Sequence, residues 1–176
     1  EIALHVDDGG IAHDIGLELG CGAMSLPFPA GWECVGLDIA RPMLDPAMRT
    51  VVSACSPMPF RAEAFSAVAS RFALMFAADP APSFREIGRV LKPGGIVLLL
   101  DICRPRSPIL LSLSRFYIKT VMGIVFAVST GNRDMKTLME YWWDTTEYCV
   151  PPEIILDVLQ EIGFADHHNT TRDGAY

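Results

Sequence analysis

Ile15-Gly16-Leu17-Glu18-Leu19-Gly20-Cys21-Gly22 decides how the chain is read. An apolar run carries one acidic residue and then breaks into two glycines separated by a single residue, the way a buried parallel strand ends in a tight turn beneath a ligand. Alone, such a Gly-x-Gly marks a plain structural turn as readily as a nucleotide site. The surroundings have to choose.

Outward from that turn, Cys34-Val35-Gly36-Leu37-Asp38 reads as a second buried strand ending on an acidic residue, Val51 to Ala54 as a brief third and Ala67 to Arg71 as a fourth. After Gly22, Pro27 and Pro29 leave room only for a short or irregular helix. A short helical segment over 40–49 has Pro42 in its first turn and is limited by Pro46. Residues 82–91 predict a helix with Phe84, Ile87, Val90 and Leu91 on one face, stopped by Lys92-Pro93-Gly94-Gly95. Ile96 to Asp101 is the clearest strand, and its unbroken apolarity predicts that both of its faces are covered. Pro151-Pro152 opens a helix to about Ile162, closed by Gly163, and 167–172 reads as a last strand cut short. The alternation predicts an α/β fold: a Rossmann-like, mostly parallel sheet with helices on both faces, in one domain spanning 1–176 with an apolar insertion at about 104–150. Such sheets bind ligands at the carboxyl ends of their strands. Glu18, Gly20, Gly22, Asp38, Ala54, Ser70 and Asp101 all fall there.

The 176 residues, 51% hydrophobic, suit a single core. With 21 acidic against 14 basic residues the net charge is −7, which repels a phosphate backbone, so no nucleic acid partner is expected. Five cysteines with neither a C-x-x-C pair nor histidines at ligand spacing suggest reduced thiols in a cytoplasmic setting and no metal site. The amino end has neither a basic start nor a long apolar core, so no signal peptide is visible. The apolar run from Pro108 to Gly131 is interrupted by Arg115 and Lys119. It reads as a buried or surface-lying helix rather than a transmembrane segment, which leaves peripheral membrane contact open.

From about Ile15 onward the spacing resembles the class I S-adenosylmethionine-dependent methyltransferases. Glu18-Leu19-Gly20-Cys21-Gly22 resembles the first motif of that family, and Gly36-Leu37-Asp38-Ile39 with Met43-Leu44 resembles its ribose-binding strand end. Met58-Pro59-Phe60 followed by Phe65 is similar to the third segment. Arg85-Glu86-Ile87-Gly88-Arg89-Val90-Leu91-Lys92-Pro93-Gly94-Gly95 is the most specific match. Arg104 to Pro108, Arg115-Phe116-Tyr117, Gly131 to Asp134 and Tyr141 follow the order of the ubiquinone and menaquinone C-methyltransferases.

The resemblance implies S-adenosylmethionine as cofactor and S-adenosylhomocysteine as its product. Asp38, an acceptor-only carboxylate, would take the ribose hydroxyls, and Glu18 would face the ammonium of the methionine tail. Gly20, Cys21 and Gly22 would bring backbone against the ligand. The adenine would lie between Ile39 and Met43 on one side and the loop of Ala54 and Cys55 on the other. Ser70, Arg71 and Phe72 would border the methionine portion and the methyl group. The implied acceptor is a small apolar or aromatic molecule, quinol-like within the subfamily. Ionising a ring hydroxyl makes a ring carbon nucleophilic, so Tyr141 and Asp144 are the candidate catalytic groups, with Asp101 a third.

Plainer readings stand beside these. Asp38 suits a cap at a helix start, Glu18 a solvated strand end, and Met43 and Phe72 a core. The apolar residues from Ile109 to Phe126 either line an acceptor cavity or pack the insertion onto the sheet, the second being favoured. Met24 stands where the family has a third glycine, Ala54 where it often has an acidic residue, Ser66 where it commonly has aspartate, and Met75-Phe76 where the quinone group has Arg-Asn. These departures motivate the alternative of a degenerate methyltransferase-like module that binds a ligand or partner. A nicotinamide-dependent oxidoreductase ranks last, because the third glycine of Gly-x-Gly-x-x-Gly is absent.

Overall fold

A computed structural model describes residues 14–23, 26–74, 77, 79–102, 104–132 and 134–165. Five parallel strands form one sheet in the order β3-β2-β1-β4-β5: β1 is Ile15–Leu19, β2 Glu33–Asp38, β3 Thr50–Val52, β4 Phe65–Arg71 and β5 Leu91–Leu100. Strand side chains alternate between faces, so the register assigns each residue a side. Leu17 lies beside Val35 and Val68, and Leu19 beside Leu37 and Ser70. With Val97 and Leu99 of β5 they make the core face, which meets Phe84, Ile87 and Val90 of helix α1 (Ala81–Val90) and Ile155, Val158 and Leu159 of helix α5 (Pro152–Glu161). Phe84, Ile87 and Val90 are fully buried, each stabilising the fold by about 1.5–3 kcal/mol.

On β1, β2 and β4 the opposite face carries Cys34, Gly36, Gly16, Ala67 and Ala69, all small, with Glu18 set between Gly36 and Ala69. A Cβ placed on Gly16 would stand 2.2 Å from the Phe28 ring, so the missing side chain is what lets residues 26–32 lie over β1. Trp32 stacks on Phe28 with centroids 6.3 Å apart. Every residue of β1 is therefore buried. The loop after β3 is held by a clamp in which Arg89 donates to the carbonyls of Met58 and Phe60 and to Glu86, while Glu86 accepts the Met58 N–H at 2.7 Å.

Several expectations are corrected. The segment over 40–49 contains one 3-10 turn, Arg41–Met43, instead of a longer helix, and β3 ends at Val52. Helix α1 passes into β5 through Leu91, already extended, so Lys92 to Gly95 belongs to the strand that it was expected to precede; Gly94, at φ +76, absorbs the bend. On β5 Leu91 is buried and Val97 and Leu99 are half-buried. Ile96, Leu98 and Leu100 are exposed; the neighbours of the first two on β4 are the small Ala67 and Ala69, and that of Leu100 is Arg71. Helix α5 and its closure at Gly163, φ +99, follow the sequence reading. Residues 1–13, Met24, Met75-Phe76 and the strand expected at 167–172 lie outside the described residues.

The insertion folds as a helical hairpin. Helix α2 (Pro108–Phe116), a π-helical turn (Tyr117–Met122) and helix α3 (Gly123–Thr130) run as one helical rod, capped at Ser107 and ended by Gly131 in the left-handed region. Helix α4 (Asp134–Glu147) returns along it. The rods cross closely at Gly123, where an added Cβ would lie 3.3 Å from Lys136 Cγ. Trp143 is buried in the hairpin and donates its indole N–H to Glu147 at 2.6 Å, and the Lys119–Asp144 ion pair spans 2.7 Å. Arg115 pairs with Glu147. The favoured expectation that this segment packs onto the sheet is overturned: 6% of its most apolar stretch is buried, and Ile109 and Val128 are 74% and 78% exposed. The rod's partner is α4.

Candidate functional site

At the carboxyl ends of β1 and β2 the chain builds a compact turn around one carboxylate. Gly20 and Gly22 adopt φ of +64 and +51, and the Gly20 N–H donates to the Leu37 carbonyl at 2.7 Å. Asp38 then holds the turn from the neighbouring strand: Oδ2 accepts the Gly22 N–H at 2.9 Å and Oδ1 accepts the Ala40 N–H at 2.8 Å. The sequence reading gave Gly20 its freedom for a ligand's sake. The structure adds a tighter cause, since a Cβ there would stand 2.2 Å from the Ala73 Cβ, so this glycine lets the loop after β4 close against the turn.

Around Asp38 the expected residues gather. Ile39 and Met43 are 74% and 58% exposed beside it, and a Cβ on Gly22 would lie 3.7 Å from Met43 Cε, an ordinary contact that leaves room. The Ser53 N–H donates to the Asp38 carbonyl at 3.0 Å, which brings the loop of Ala54 and Cys55 to the same edge. Burial pushes the Cys21 thiol up to about 11, with the Asp38 and Glu18 carboxylates adding to the shift. Burial also raises the Cys55 thiol, again with Asp38 nearby. Both thiols stay protonated near neutrality and are not nucleophiles. Negative charge, not sulfur chemistry, characterises this pocket edge.

Glu18 is 1% exposed, and its Oε2 accepts the Leu26 N–H at 2.9 Å. The solvated reading of Glu18 is corrected: the loop over β1 covers it. Ser70 is likewise buried, with no hydrogen-bond partner for its Oγ among the described residues, and it points to the core face beside Leu19. Arg71 ends β4 half-buried. Phe72 follows at φ +56, a left-handed conformation that costs an L-residue about 1–3 kcal/mol, held by its N–H to the Leu100 carbonyl at 2.9 Å.

The two catalytic candidates sit elsewhere. Tyr141 and Asp144 are on α4, Tyr141 exposed and Asp144 committed to Lys119, both within the hairpin. Asp101 follows β5 and lines a small cavity with Phe84, Cys149 and Ile155. Sequence reasoning missed the loop of Leu26 and Phe28 and the strained Phe72. A glycine inside an apolar strand, Gly16, was the available signal for the first.

Residues 17–99 match the protein family described as "Methyltransferase domain". Over those residues the chain is similar to methyltransferase domains. A demethylmenaquinone methyltransferase of Roseiflexus is 29% identical over 140 residues, covering 75% of this chain and 58% of that protein. The chain thus spans a little over half the length of that relative. Among solved structures, the YcgJ protein of Bacillus subtilis superposes with a TM-score of 0.52 at 27% identity, covering 61% of this chain and 53% of that one. A Haemonchus contortus phosphoethanolamine N-methyltransferase, solved with S-adenosyl-L-methionine, gives 0.59 at 19% identity over 88% of this chain and 34% of its own, which supports the fold. The five-stranded parallel sheet matches the fold of that N-methyltransferase.

Proposed function

We infer that the chain is a single methyltransferase domain with a substrate-side insertion at about 104–150, and that it transfers a methyl group from S-adenosylmethionine to a small apolar or aromatic acceptor of quinol type. The carrying observation is Asp38. Each of its oxygens accepts one backbone N–H and keeps acceptor capacity, because an ionised carboxylate offers about four lone-pair sites. The two spent on Gly22 and Ala40 fix the carboxylate in place, so the two remaining suit a vicinal diol such as ribose. Ile39 and Met43 form an apolar shelf beside it that suits the flat face of an adenine. These residues fit the cofactor.

The bound cofactor supplies a methyl group on a positively charged sulfur, already an excellent leaving group. The protein's own work is therefore orientation and exclusion of water, which contribute up to ~7–11 kcal/mol in favourable cases. The turn at Gly20–Gly22 fixes the ribose anchor, and Phe72 borders the reacting end from the end of β4. Asp144 would accept a hydroxyl proton from the acceptor, or Tyr141 a hydrogen bond from that hydroxyl, if the hairpin meets the sheet edge during turnover. The demethylmenaquinone methyltransferase name of the relative supports the acceptor class.

Isothermal titration with S-adenosylhomocysteine tests the cofactor, and transfer of labelled methyl to a reduced naphthoquinone tests the acceptor. Binding without transfer to any apolar phenol would leave the binding-module alternative.

A further inference from the structure

Independently of the cofactor site, the hairpin presents a surface that the sheet does not use. From Pro108 to Thr130 the rod holds 23 residues, long and apolar enough by length and composition to cross a membrane. Its charges, Arg115 and Lys119, both turn toward α4 and are neutralised there by Glu147 and Asp144. What remains outward is an uncharged ridge through Ile109, Leu113, Phe116, Ile124 and Val128, all more than half exposed. These positions follow helical spacing along one side.

We propose that this ridge is a membrane-docking surface, lying in the interface of a bilayer with α4 kept on the water side. Spanning is disfavoured by geometry: full insertion would carry Lys136, Glu140, Asp144 and Glu147 of α4 into hydrocarbon along with the rod. A second copy of the chain is a poorer occupant. At about 1.5 Å per residue and about 10 Å of width, the ridge offers roughly 350 Å², under half the ~800 Å² per partner of a stable interface. A lipid surface needs no matched relief and takes an apolar ridge of this shape. Because the rod's cations are already paired and the chain carries a net charge of −7, docking works by apolar insertion and not by attraction to anionic headgroups.

Co-sedimentation of the whole 176-residue chain with phosphatidylcholine vesicles, with and without phosphatidylglycerol and at low and high salt, tests this. Binding should persist at high salt and should not rise with phosphatidylglycerol. The pair Ile109→Glu and Leu113→Glu should lower partition by at least about tenfold, as should Ile124→Glu with Val128→Glu, while Ile154→Glu on α5 should not. Absence of binding to any vesicle, binding abolished by salt, or ridge variants that bind like wild type would each overturn the proposal. So would sedimentation equilibrium showing a dimer that the ridge variants convert to monomer. No cofactor is present in these assays, so failure here leaves the methyltransferase reading intact, and failure of titration leaves this one intact.

Discussion

The sheet edge and the helical hairpin solve opposite problems with the same materials. At the edge, polar groups are spent on backbone: Asp38 on the Gly22 and Ala40 amides, Glu18 on Leu26. Side chains there are small because backbone must approach backbone. In the hairpin, polar groups are spent on one another across two helices, and apart from the buried Trp143 many of the large apolar side chains are exposed. At Gly16 and Gly20 the sheet therefore tolerates almost no added volume, whereas the outer side of the hairpin tolerates much but exposes what it gains.

The sharpest way to break this comparison is Gly20→Val. A branched side chain at φ +64 that also meets the Ala73 Cβ should cost about 4 kcal/mol, read as a lower urea midpoint. If the Ala73 contact does not constrain the turn, only the backbone strain remains and the loss will be about 1–2 kcal/mol.

Asp38→Asn comes next. It exchanges an acceptor pair for one acceptor and one donor that faces N–H groups, and should weaken S-adenosylhomocysteine binding by about 100-fold in titration, with a smaller stability loss.

Glu86→Gln should cost about 1 kcal/mol near neutral pH. The hydrogen bond from Arg89 holds the Glu86 carboxyl below its ordinary value of 4.5, so its contribution is present above that pH and is lost as pH falls through the lower folded value. The wild type should lose its advantage over the variant in that acid range, read as converging urea midpoints. The smallest effect is expected in the hairpin: Lys119→Met should shift the thermal midpoint little, because a half-exposed ion pair is still screened by water.

How far the sequence could be read follows the same divide. The first two strands, the parallel character of the sheet and the turn were legible because buried parallel strands write themselves as apolar runs ending in glycine and aspartate, as at Leu19-Gly20 and Leu37-Asp38. The uncovered side of β5 was not, since Ile96, Leu98 and Leu100 carry the same letters as a strand sandwiched between helices. At the site, Asp38 was legible from its place at a strand end. The cover on Glu18 was not, because it is made by a loop whose prolines say only that no long helix forms. In the insertion, composition announced apolarity but not its direction; the pairing of Arg115 and Lys119 with α4 settles which side faces out.

The Cys21 thiol has a practical consequence. It is 3% exposed and lies beneath two carboxylates, with its proton held to about 11, so at pH 8 only ~0.1% is ionised by the titration relation. Alkylating reagents attack the ionised form, so a folded turn is nearly inert to them. Cys21 is thus an internal clock for the glycine turn: its labelling rate counts how often the turn opens, and a ligand seated on Asp38 should slow that clock.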